Sequence, residues 1–430
     1  MAREMKESGI SWIGNIPKSW NIVRIKYLPN NDIDSFQDGD WIESPYITDA
    51  GIRYLTTGNV GDGIFKRQGI GYITDETFRE LNCKYAYPDD LVISRLNAPY
   101  GRACILPSDE DKYVLAVDIV ILRTDHEKRF ICYLMQCDGY QNMVQDNAKG
   151  TTMKRISRSN LGNISLPIAP LPEQRIIADY LDTECARIDA VIEQTRASIE
   201  EYKKLKQAVI TEAVTQGVQP NRQMKDSGVD WIETIPEDWK MIRGKVLFFE
   251  TNARSVDGSE ELLTVSQYTG VTPRSQKNVN MFEAETLEGY KICEVGDIAA
   301  NTMWMWAGAI GVSQYRGLIS PSYNIYRQTS NAFDGRFLDF LLRAVPLVEH
   351  YESLSTGIRA SRLRLYPQQF LNIRFPVPPL EEQQKIVNYL ENTVSEIDKL
   401  TDQKDRFISE LESYKKSLIY EYVTGKKEVA

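Results

Sequence analysis

Two pairs of matching segments divide this chain of 430 residues into similar halves. Met5–Arg24 matches Met224–Arg243 at ten of twenty positions, with a constant offset of 219 residues. A second pair, Pro170–Asp189 and Pro379–Asp398, has an offset of 209, so the block between the segments is ten residues shorter in the second half. This period is far longer than that of small solenoid repeats. The chain is therefore a duplicated pair of domains rather than a repeat array.

The second segment of each half opens a long stretch with a helical signature. From about Glu173 to Gly217 there is no proline and the only glycine is the last residue, and from about Glu382 to Thr424 there is neither. Apolar residues recur at heptad spacing between charged ones, which predicts a coiled coil. At 1.5 Å per residue each helix would be roughly 65 Å long, too long for one small domain to cover. We expect the two helices to pair with each other, and antiparallel, because both can then leave toward a globular block at opposite ends.

The residues expected in the seam between these helices share heptad positions. They are Leu181, Ile188, Ile192, Ile199 and Tyr202 in the first helix, and Leu390, Ile397, Ile408, Leu411 and Leu418 in the second. Lys206 and Lys415 interrupt the seam at equivalent places, and polar seam residues fix the register of a coiled coil at a cost in stability. The alternative, that each helix packs its apolar stripes into an ordinary core, stays open at this point.

The blocks between the matching segments, about 20–167 and 239–376, combine short β-rich runs, glycine-rich turns and an amphipathic helix. Their scaffolds correspond while most side chains differ, as in two related binding domains of different specificity. The predicted fold is two α/β (α+β) domains, pseudo-twofold related and separated by two long helices that form an antiparallel coiled coil. The expected boundaries are 1–167 for the first domain, 168–217 for the first helix, 218–376 for the second domain and 377–430 for the second helix.

The net charge of −9 argues at first against a nucleic-acid ligand. However, residues 173–217 and 382–425 each carry nine acids and six bases, so the two helical stretches hold −6 of that charge. Residues 147–172 and 353–380 contain no acid at all. Their bases and small hydroxyl residues can contact phosphates, and arginine can read guanine edges. A solvated basic loop is the alternative for either window, and recurrence in both halves favours DNA.

The candidate DNA contacts fall into three groups. The first window supplies Lys149, Thr151, Thr152, Lys154, Arg155 and Arg158; the second supplies Arg359, Ser361, Arg362 and Arg364; loops elsewhere supply Arg95, Asn97, Tyr100, Arg102, Gln267, Tyr268, Trp304 and Trp306. For the last four residues a structural role is an equal alternative. The tryptophans can belong to the core on one face, and residues 267–268 can form a buried turn.

Composition gives little support to an enzyme. Six cysteines form no CxxC pair and the chain has two histidines, which argues against a zinc site and suits a reducing cytoplasm. The segment Asn97–Tyr100 resembles the Asn-Pro-Pro-Tyr motif of adenine methyltransferases, but Ala98 replaces the first proline and no glycine-rich cofactor loop precedes it. The polar start and the absence of an apolar run of ~18 residues predict neither a signal peptide nor a membrane span. We expect a cytoplasmic, non-catalytic protein.

The SGxxWIxxIPxxW opener, the PLxEQ start of each long helix and the duplication of both resemble the DNA-specificity subunits of type I restriction-modification systems. The resemblance covers essentially the whole chain. It implies a target-recognition domain before Pro167 and another between Trp239 and Pro376, each reading one half of a bipartite, asymmetric double-stranded DNA target. It also implies that the helices starting at Glu173 and Glu382 space the domains and dock two modification subunits, which are adenine methyltransferases.

The same resemblance implies what this chain leaves to its partners. S-adenosylmethionine would bind the modification subunits and no cofactor would bind this chain, while restriction endonuclease and translocase subunits would complete the complex. Half-site centres about one helical turn apart, roughly 10 base pairs, are expected from the spacing rule for twofold readers. Two alternatives remain: a non-catalytic coiled-coil scaffold that binds protein only, and a stand-alone DNA methyltransferase.

Overall fold

The chain folds into two compact units, of which the first is built from two separate stretches and the second from one. The computed structural model describes residues 3–32, 34–69, 71–150, 154–277, 286–357 and 363–429. Unit 1 comprises Met1–Thr195 and Arg406–Ala430, and unit 2 comprises Arg196–Asp405. Each unit therefore contains the first part of one long helix and the last part of the other. The four domain boundaries expected from the sequence remain a prediction.

Unit 1 contains short strands and helices followed by the start of a long helix. Its strands are β1 Met5–Glu7, β2 Asn15–Pro17, β3 Asn21–Arg24, β4 Phe36–Asp38, β5 Ile52–Leu55, β6 Tyr72–Ile73, β7 Leu91–Ser94, β8 Ala103–Ile105, β9 Tyr113–Leu115, β10 Ile119–Leu122 and β11 Ser165–Ile168. Its helices are α1 Asp75–Glu80, α2 Lys128–Met135, α3 Asp138–Asp146, α4 Arg158–Gly162 and the first part of α5 Leu171–Gln216.

Unit 2 repeats this order with small differences. Its strands are β12 Met224–Val229, β13 Ile232–Pro236, β14 Lys240–Arg243, β15 Phe248–Thr251, β16 Leu263–Ser266, β17 Gly270–Pro273, β18 Lys291–Cys293, β19 Ile298–Ala300, β20 Ile310–Val312, β21 Gly317–Ile319, β22 Asn324–Gln328 and β23 Arg374–Val377. Its helices are α6 Gly244–Leu247, α7 Gly335–Leu342, α8 Val345–Leu354, α9 Pro367–Asn372 and the first part of α10 Leu380–Val423.

Each unit contains its own antiparallel four-stranded main sheet. The strand order is β4-β10-β7-β8 in unit 1 and β15-β22-β19-β20 in unit 2. Strands β7 and β10 are buried along their whole length, as are β19 and β20. Their β-branched residues suit such positions, because branched side chains pack well on a pleated surface. The duplication seen in sequence thus extends to sheet topology.

A matching ion pair marks the main sheet of each unit. Asp90, just before β7, accepts from Arg123 at 2.9 Å. Asp297, just before β19, accepts from Arg327 at 2.7 Å. In both units the same carboxylate also accepts a backbone N–H three residues earlier in the chain. The scaffold is therefore the same even at the level of side-chain contacts.

The N-terminal repeat of each half forms a hairpin that leads toward the long helix. Strands β1 and β2 pair in unit 1, and β12 and β13 pair in unit 2. The next strand of each half, β3 or β14, pairs with β11 or β23, which directly precedes the long helix. Trp20 and Trp239, at matching places, are fully buried. The two repeated motifs, far apart in sequence, thus lie together in each unit.

The long helices run antiparallel within unit 1. Tyr180 of α5 lies against Tyr422 of α10, with ring centroids 4.5 Å apart. Nine residues further along α5, Asp189 accepts from Lys415, which lies earlier on α10, at 2.7 Å. Residue numbers therefore increase along α5 as they decrease along α10, so the two helices run in opposite directions.

Unit 2 contains the same arrangement with the helices exchanged. Asp398 of α10 accepts from Lys206 of α5 at 2.7 Å, which repeats the Asp189–Lys415 pair at an offset of 209 residues. Further along α10, Lys404 lies 5.6 Å from the ring centre of Tyr202, earlier on α5. The predicted antiparallel coiled coil is confirmed.

The expected seam is largely excluded from solvent. Buried seam residues are Leu181, Ile188, Ile192 and Ile199 of α5, and Leu390, Ile397, Ile408 and Leu418 of α10. Tyr202 and Leu411 are half-buried. No helix of the described ranges is both long and apolar enough to cross a membrane.

Candidate nucleic-acid interface

The described ends of the two acid-free windows pair at matching places in the two units. In unit 1 the loop is closed by Lys149 and Arg155, which exchange two backbone hydrogen bonds of 2.9 and 3.0 Å. In unit 2 Thr356 and Arg364 exchange two of 3.0 Å. Each loop follows α3 or α8 and leads through α4 or α9 to the strand before the long helix. We call these segments, 149–155 and 356–364, the basic loops.

The lysines of the first basic loop face solvent without an acidic partner. Lys149 and Lys154 are exposed, and across the described part of the chain neither forms an ion pair. Such side chains are available to a phosphate backbone, because a contact releases condensed counterions without first breaking a bond inside the protein. These two lysines are therefore the best-placed cations of the unit.

The arginines beside them are exposed but have loose acidic neighbours. Arg155 lies 3.6 Å from Asp118, and Arg158 lies 3.6 Å from Asp38. Only the arginines of these pairs are well exposed; the carboxylates of Asp118 and Asp38 are largely covered and also lie beside Arg95, which remains their partner when Arg155 or Arg158 turns to a phosphate. Both arginines can thus exchange an acid for a phosphate at small cost.

Arg95 joins the basic loop to the main sheet instead of facing solvent. Its guanidinium is buried and lies 3.0 Å from Asp38 and 3.5 Å from Asp118. It donates to the carbonyls of Ile156 at 3.1 Å and Val117 at 2.7 Å. Arg95 was expected to contact DNA directly, but its guanidinium is buried. Its hydrogen bonds and ion pairs favour a role in holding the basic loop in place.

Arg102 likewise organises the loop between β7 and β8. It is buried, and burial lowers its pKa. Its donors reach five backbone carbonyls, those of Thr57, Val60, Leu96, Asn97 and Pro99. The side chain of Asn97 is exposed on the loop so held, and Tyr100 is half-buried. Of this predicted cluster, Asn97 is the residue placed to meet a ligand.

In unit 2 the equivalent loop, between β19 and β20, presents two tryptophans. The rings of Trp304 and Trp306 lie 5.8 Å apart at 26°, and Trp304 is 51% exposed. Trp306 donates to the carbonyl of Met303 at 3.0 Å. Met305, between them, is the fully buried residue. Because Trp304 is exposed and Trp306 is half-buried, the alternative that the tryptophans form the core is wrong, and the exposed part of the pair can stack against a base.

Several predicted contacts lie outside the described residues or are partly covered. Thr151, Thr152, Arg359, Ser361 and Arg362 belong to the first category. Arg364 is half-buried, and its guanidinium donates to the carbonyl of Leu363 at 2.7 Å. For the second basic loop, the structure therefore describes the two residues that pair at its ends, Thr356 and Arg364.

Gln267 and Tyr268 occupy the tip of the β16–β17 hairpin and are exposed, so they are not part of a buried turn. They line a groove of about 720 Å³ together with Lys203 and Lys206 of α5 and with Arg343. Their neighbours are therefore the long helices of unit 2, which makes them separate from the tryptophan loop.

An exposed tryptophan close to the residues around Arg95 was not predicted from the sequence. Trp41 is 69% exposed and follows β4, three residues after Asp38, the neighbour of Arg95 and Arg158. Exposed tryptophan is unusual unless it has a partner. Its surroundings in sequence, "DGDWIESPY", are polar on both sides, and this was the one available signal.

Each unit therefore places a basic loop and a sheet loop on the same scaffold, with different side chains. Unit 1 offers lysines, arginines and Asn97, and unit 2 offers Trp304, Trp306 and Arg364. Cations and backbone donors position a protein on phosphates, whereas base edges and stacking give sequence dependence. Such a pair of surfaces suits two unlike stretches of nucleic acid.

Comparison with known proteins gives consistent matches. Residues 18–201 and 289–408 match the family model described as type I restriction modification DNA specificity domain. The chain is 25% identical over 301 residues to the type I restriction enzyme MjaVIII specificity subunit of Methanocaldococcus jannaschii, covering 66% of this chain and 67% of that protein. It is 32% identical over 180 residues to the EcoKI specificity subunit of Escherichia coli K12, covering 39% and 37%.

A solved structure has a similar fold along nearly the whole chain. A chain from a study of complex assembly and conformational transition of the type I R-M system superposes with a TM-score of 0.71 at 15% identity. The superposition covers 96% of this chain and 99% of the other.

Proposed function

Because the chain belongs to the type I restriction modification DNA specificity family, whose model matches well over half of its length, we propose that it reads a bipartite DNA target. Unit 1 reads one half through its basic loop and the β7–β8 loop. Unit 2 reads the other half through its basic loop and the tryptophan loop. The target is asymmetric because the two sets of side chains differ.

One observation carries this proposal: the same scaffold occurs twice, and the differences concentrate on equivalent loops. The main sheets have the same strand order, and the pairs Asp90–Arg123 and Asp297–Arg327 coincide. At the sheet loop, however, unit 1 has Asn97 where unit 2 has tryptophans. A scaffold that binds only protein gives no reason for this combination with basic loops.

The remaining roles follow from this assignment. The antiparallel helices α5 and α10 space the two readers and dock two modification subunits, which bind S-adenosylmethionine and methylate adenine. Restriction and translocation belong to further subunits, and this chain performs no reaction. Because its helices carry net negative charge, useful DNA affinity requires the modification subunits to add contacts around the duplex.

Methylome sequencing of the host, with and without this gene, tests the proposal. We expect adenine methylation at one split, asymmetric sequence, with half-site centres about one helical turn or roughly 10 base pairs apart, and its loss on deletion. Unchanged methylation after deletion, in a host with active modification subunits, contradicts a specificity role. Methyl transfer by the purified chain alone contradicts its assignment as non-catalytic.

A further inference from the structure

Two successive side chains in the first turn of each long helix hold that helix to the rest of its unit. The first is a glutamate. In unit 1 Glu173 accepts from the indole N–H of Trp20 at 3.0 Å and pairs with Arg3 at 2.5 Å. The Arg3 guanidinium also lies 5.6 Å from the centre of the Trp20 ring. The glutamate therefore fastens the helix to the N-terminal hairpin segment.

Unit 2 repeats this contact with equivalent residues. Glu382 accepts from the indole N–H of Trp239 at 3.0 Å and pairs with Arg222. Gly217 directly follows α5 in the left-handed conformation, with φ +79°, and its backbone lies beside this carboxylate, since a Cβ there would be 2.8 Å from a Glu382 oxygen. The start of one long helix and the end of the other thus meet at the same carboxylate.

The second residue is a fully buried glutamine. It hydrogen-bonds to the segment that starts the helix packed on the main sheet. In unit 1 the Oε1 atom of Gln174 accepts the backbone N–H of Glu127 at 2.9 Å. Its Nε2 atom donates to the carbonyl of Ala169 at 2.7 Å and to Nδ1 of His126 at 3.0 Å. The amide is therefore bonded on both sides, and its orientation is fixed.

Gln383 makes the corresponding contacts in unit 2. Its Oε1 atom accepts the backbone N–H of Asp334 at 2.8 Å. Its Nε2 atom donates to the carbonyls of Ala332 and Pro378, each at 2.9 Å. Glutamine appears in the same place in both halves, whereas the third partner differs between the histidine of unit 1 and a carbonyl of unit 2.

These bonds end on the helix that supports the main sheet. Glu127 and Asp334 are the N-terminal caps of α2 and α7, and these helices pack against β8 and β20. The glutamine therefore connects the start of the spacer helix to the element behind the reading loops. A buried amide with all its bonds satisfied tolerates little rotation, because any tilt leaves a polar group unpaired.

We propose that Gln174 and Gln383 are positioning residues, which fix the angle between each reader and its spacer helix and so set the gap between half-sites that the complex accepts. The inference rests on the proposed function. One extra base pair displaces a half-site by about 3.4 Å and rotates it by roughly 35°. A reader held rigidly on its helix cannot follow that rotation, whereas a loosened reader can.

The test uses the complex of this chain with its modification subunits and the variants Gln174→Met and Gln383→Met. Methionine has nearly the same length but cannot form the three hydrogen bonds. Binding is measured to duplexes in which the gap is the natural one, one base pair shorter or one longer. We expect the wild-type complex to bind the natural gap most tightly. In each variant the penalty for a wrong gap should fall about tenfold, equivalent to ~1.4 kcal/mol, with a smaller loss at the natural gap.

Gln194→Met and Gln403→Met are the matched controls, since both glutamines are exposed at equivalent places on the same helices. They should keep the wild-type gap preference. If the methionine variants do not assemble, Gln174→Asn and Gln383→Asn retain the amide one carbon shorter and should relax the preference in the same direction.

Two outcomes overturn the inference: an unchanged gap preference in the variants, or an equal loss of affinity at every gap, which indicates a merely structural role. These results are distinct from failure of the proposed function. In that case the wild-type complex itself shows no preference for a split sequence or a particular gap.

Discussion

At the scale of single residues, burial separates two uses of arginine that look identical in sequence. Arg95 and Arg102 lie inside unit 1 and donate to backbone carbonyls. Arg155 and Arg158 lie on the surface, each 3.6 Å from an acid. Removing a buried arginine leaves several backbone carbonyls without a hydrogen-bond donor, whereas removing an exposed arginine removes only a surface charge. Substitutions in the first pair should therefore affect folding before they affect binding.

The exposed lysines of the first basic loop give a prediction about salt. In the assembled complex, Lys149→Ala together with Lys154→Ala should weaken binding to all duplexes. The slope of log affinity against log salt should become shallower by about one for each phosphate that the protein no longer neutralises. Titration at several salt concentrations measures it. Lys18→Ala, an exposed lysine of the N-terminal hairpin segment, is the control. An unchanged slope in the double variant favours a scaffold that does not bind DNA.

The two histidines predict how stability responds to acid. Burial lowers the pKa of His126 and of His350, against the opposing influence of Asp125 and Asp230 respectively. In the folded protein both pKa values thus lie below the ordinary 6.5. Between each folded-state pKa and 6.5, the unfolded chain therefore binds more protons than the folded chain. Stability from this source is full above pH 6.5 and is lost as the pH falls through the folded-state pKa values.

Denaturant unfolding at pH 7.5 and pH 5.5 measures this effect. We expect a lower midpoint at pH 5.5 and a smaller decrease in the double variant His126→Asn and His350→Asn. In unit 1 protonation of His126 also turns Nδ1 into a donor that faces the Gln174 amide. An equal decrease in wild type and variant assigns the acid sensitivity to carboxylates instead.

At the scale of secondary-structure elements, the repeated ion pairs between the long helices should fix their register. Lys206→Glu with Lys415→Glu places like charges beside Asp398 and Asp189, and should lower the unfolding midpoint. The loss should be about 1 kcal/mol or less per pair, because the pairs are partly exposed, and should shrink at high salt. Thermal unfolding at low and high salt measures it.

Charge exchange completes this test. Adding Asp398→Lys and Asp189→Lys to the glutamate variants should restore the midpoint, because each pair is then present in reverse. Lys204→Glu is the control, since Lys204 pairs with Glu201 of its own helix. Failure of the exchange to restore stability means that these pairs do not set the register.

The long helices and the duplication were predictable because their signals are local, whereas the hairpin formed by each N-terminal repeat was not predicted. Heptad spacing, the lack of helix breakers and a constant offset need no knowledge of distant contacts. The location of the basic loops followed from their repetition for the same reason. What the sequence concealed is non-local: the carbonyls that saturate Arg102 come partly from Thr57 and Val60. No pattern around Arg102 indicates those partners.

The tryptophan loop shows the same limit within a few residues. In "NTMWMWAG" the alternation allows either the tryptophans or the methionines to face inward, and both are apolar. The short 3-10 turn Met305–Ala307 turns Met305 into the core and leaves Trp304 half-exposed. Local geometry, which the composition does not specify, decides which side chain becomes available to a ligand.

At the scale of the whole molecule, two units share one chain without being consecutive in it. Unit 2 is a single stretch, Arg196–Asp405, whereas unit 1 needs Met1–Thr195 together with Arg406–Ala430. The late segment is not peripheral to unit 1: the ring of Tyr422 lies 4.5 Å from that of Tyr180, and a side chain at Gly425 would clash with Pro17.

This division imposes an order on biosynthesis. Residues 1–195 of unit 1 are translated first. The end of α10, which packs against the hairpin of unit 1, is translated only after the whole of unit 2. Nascent unit 1 therefore lacks the hydrogen bond from Tyr420 to the carbonyl of Trp12 and the contact of Gly425 with Pro17, while unit 2, complete in one uninterrupted stretch, can mature first. The part translated first is the part that finishes last.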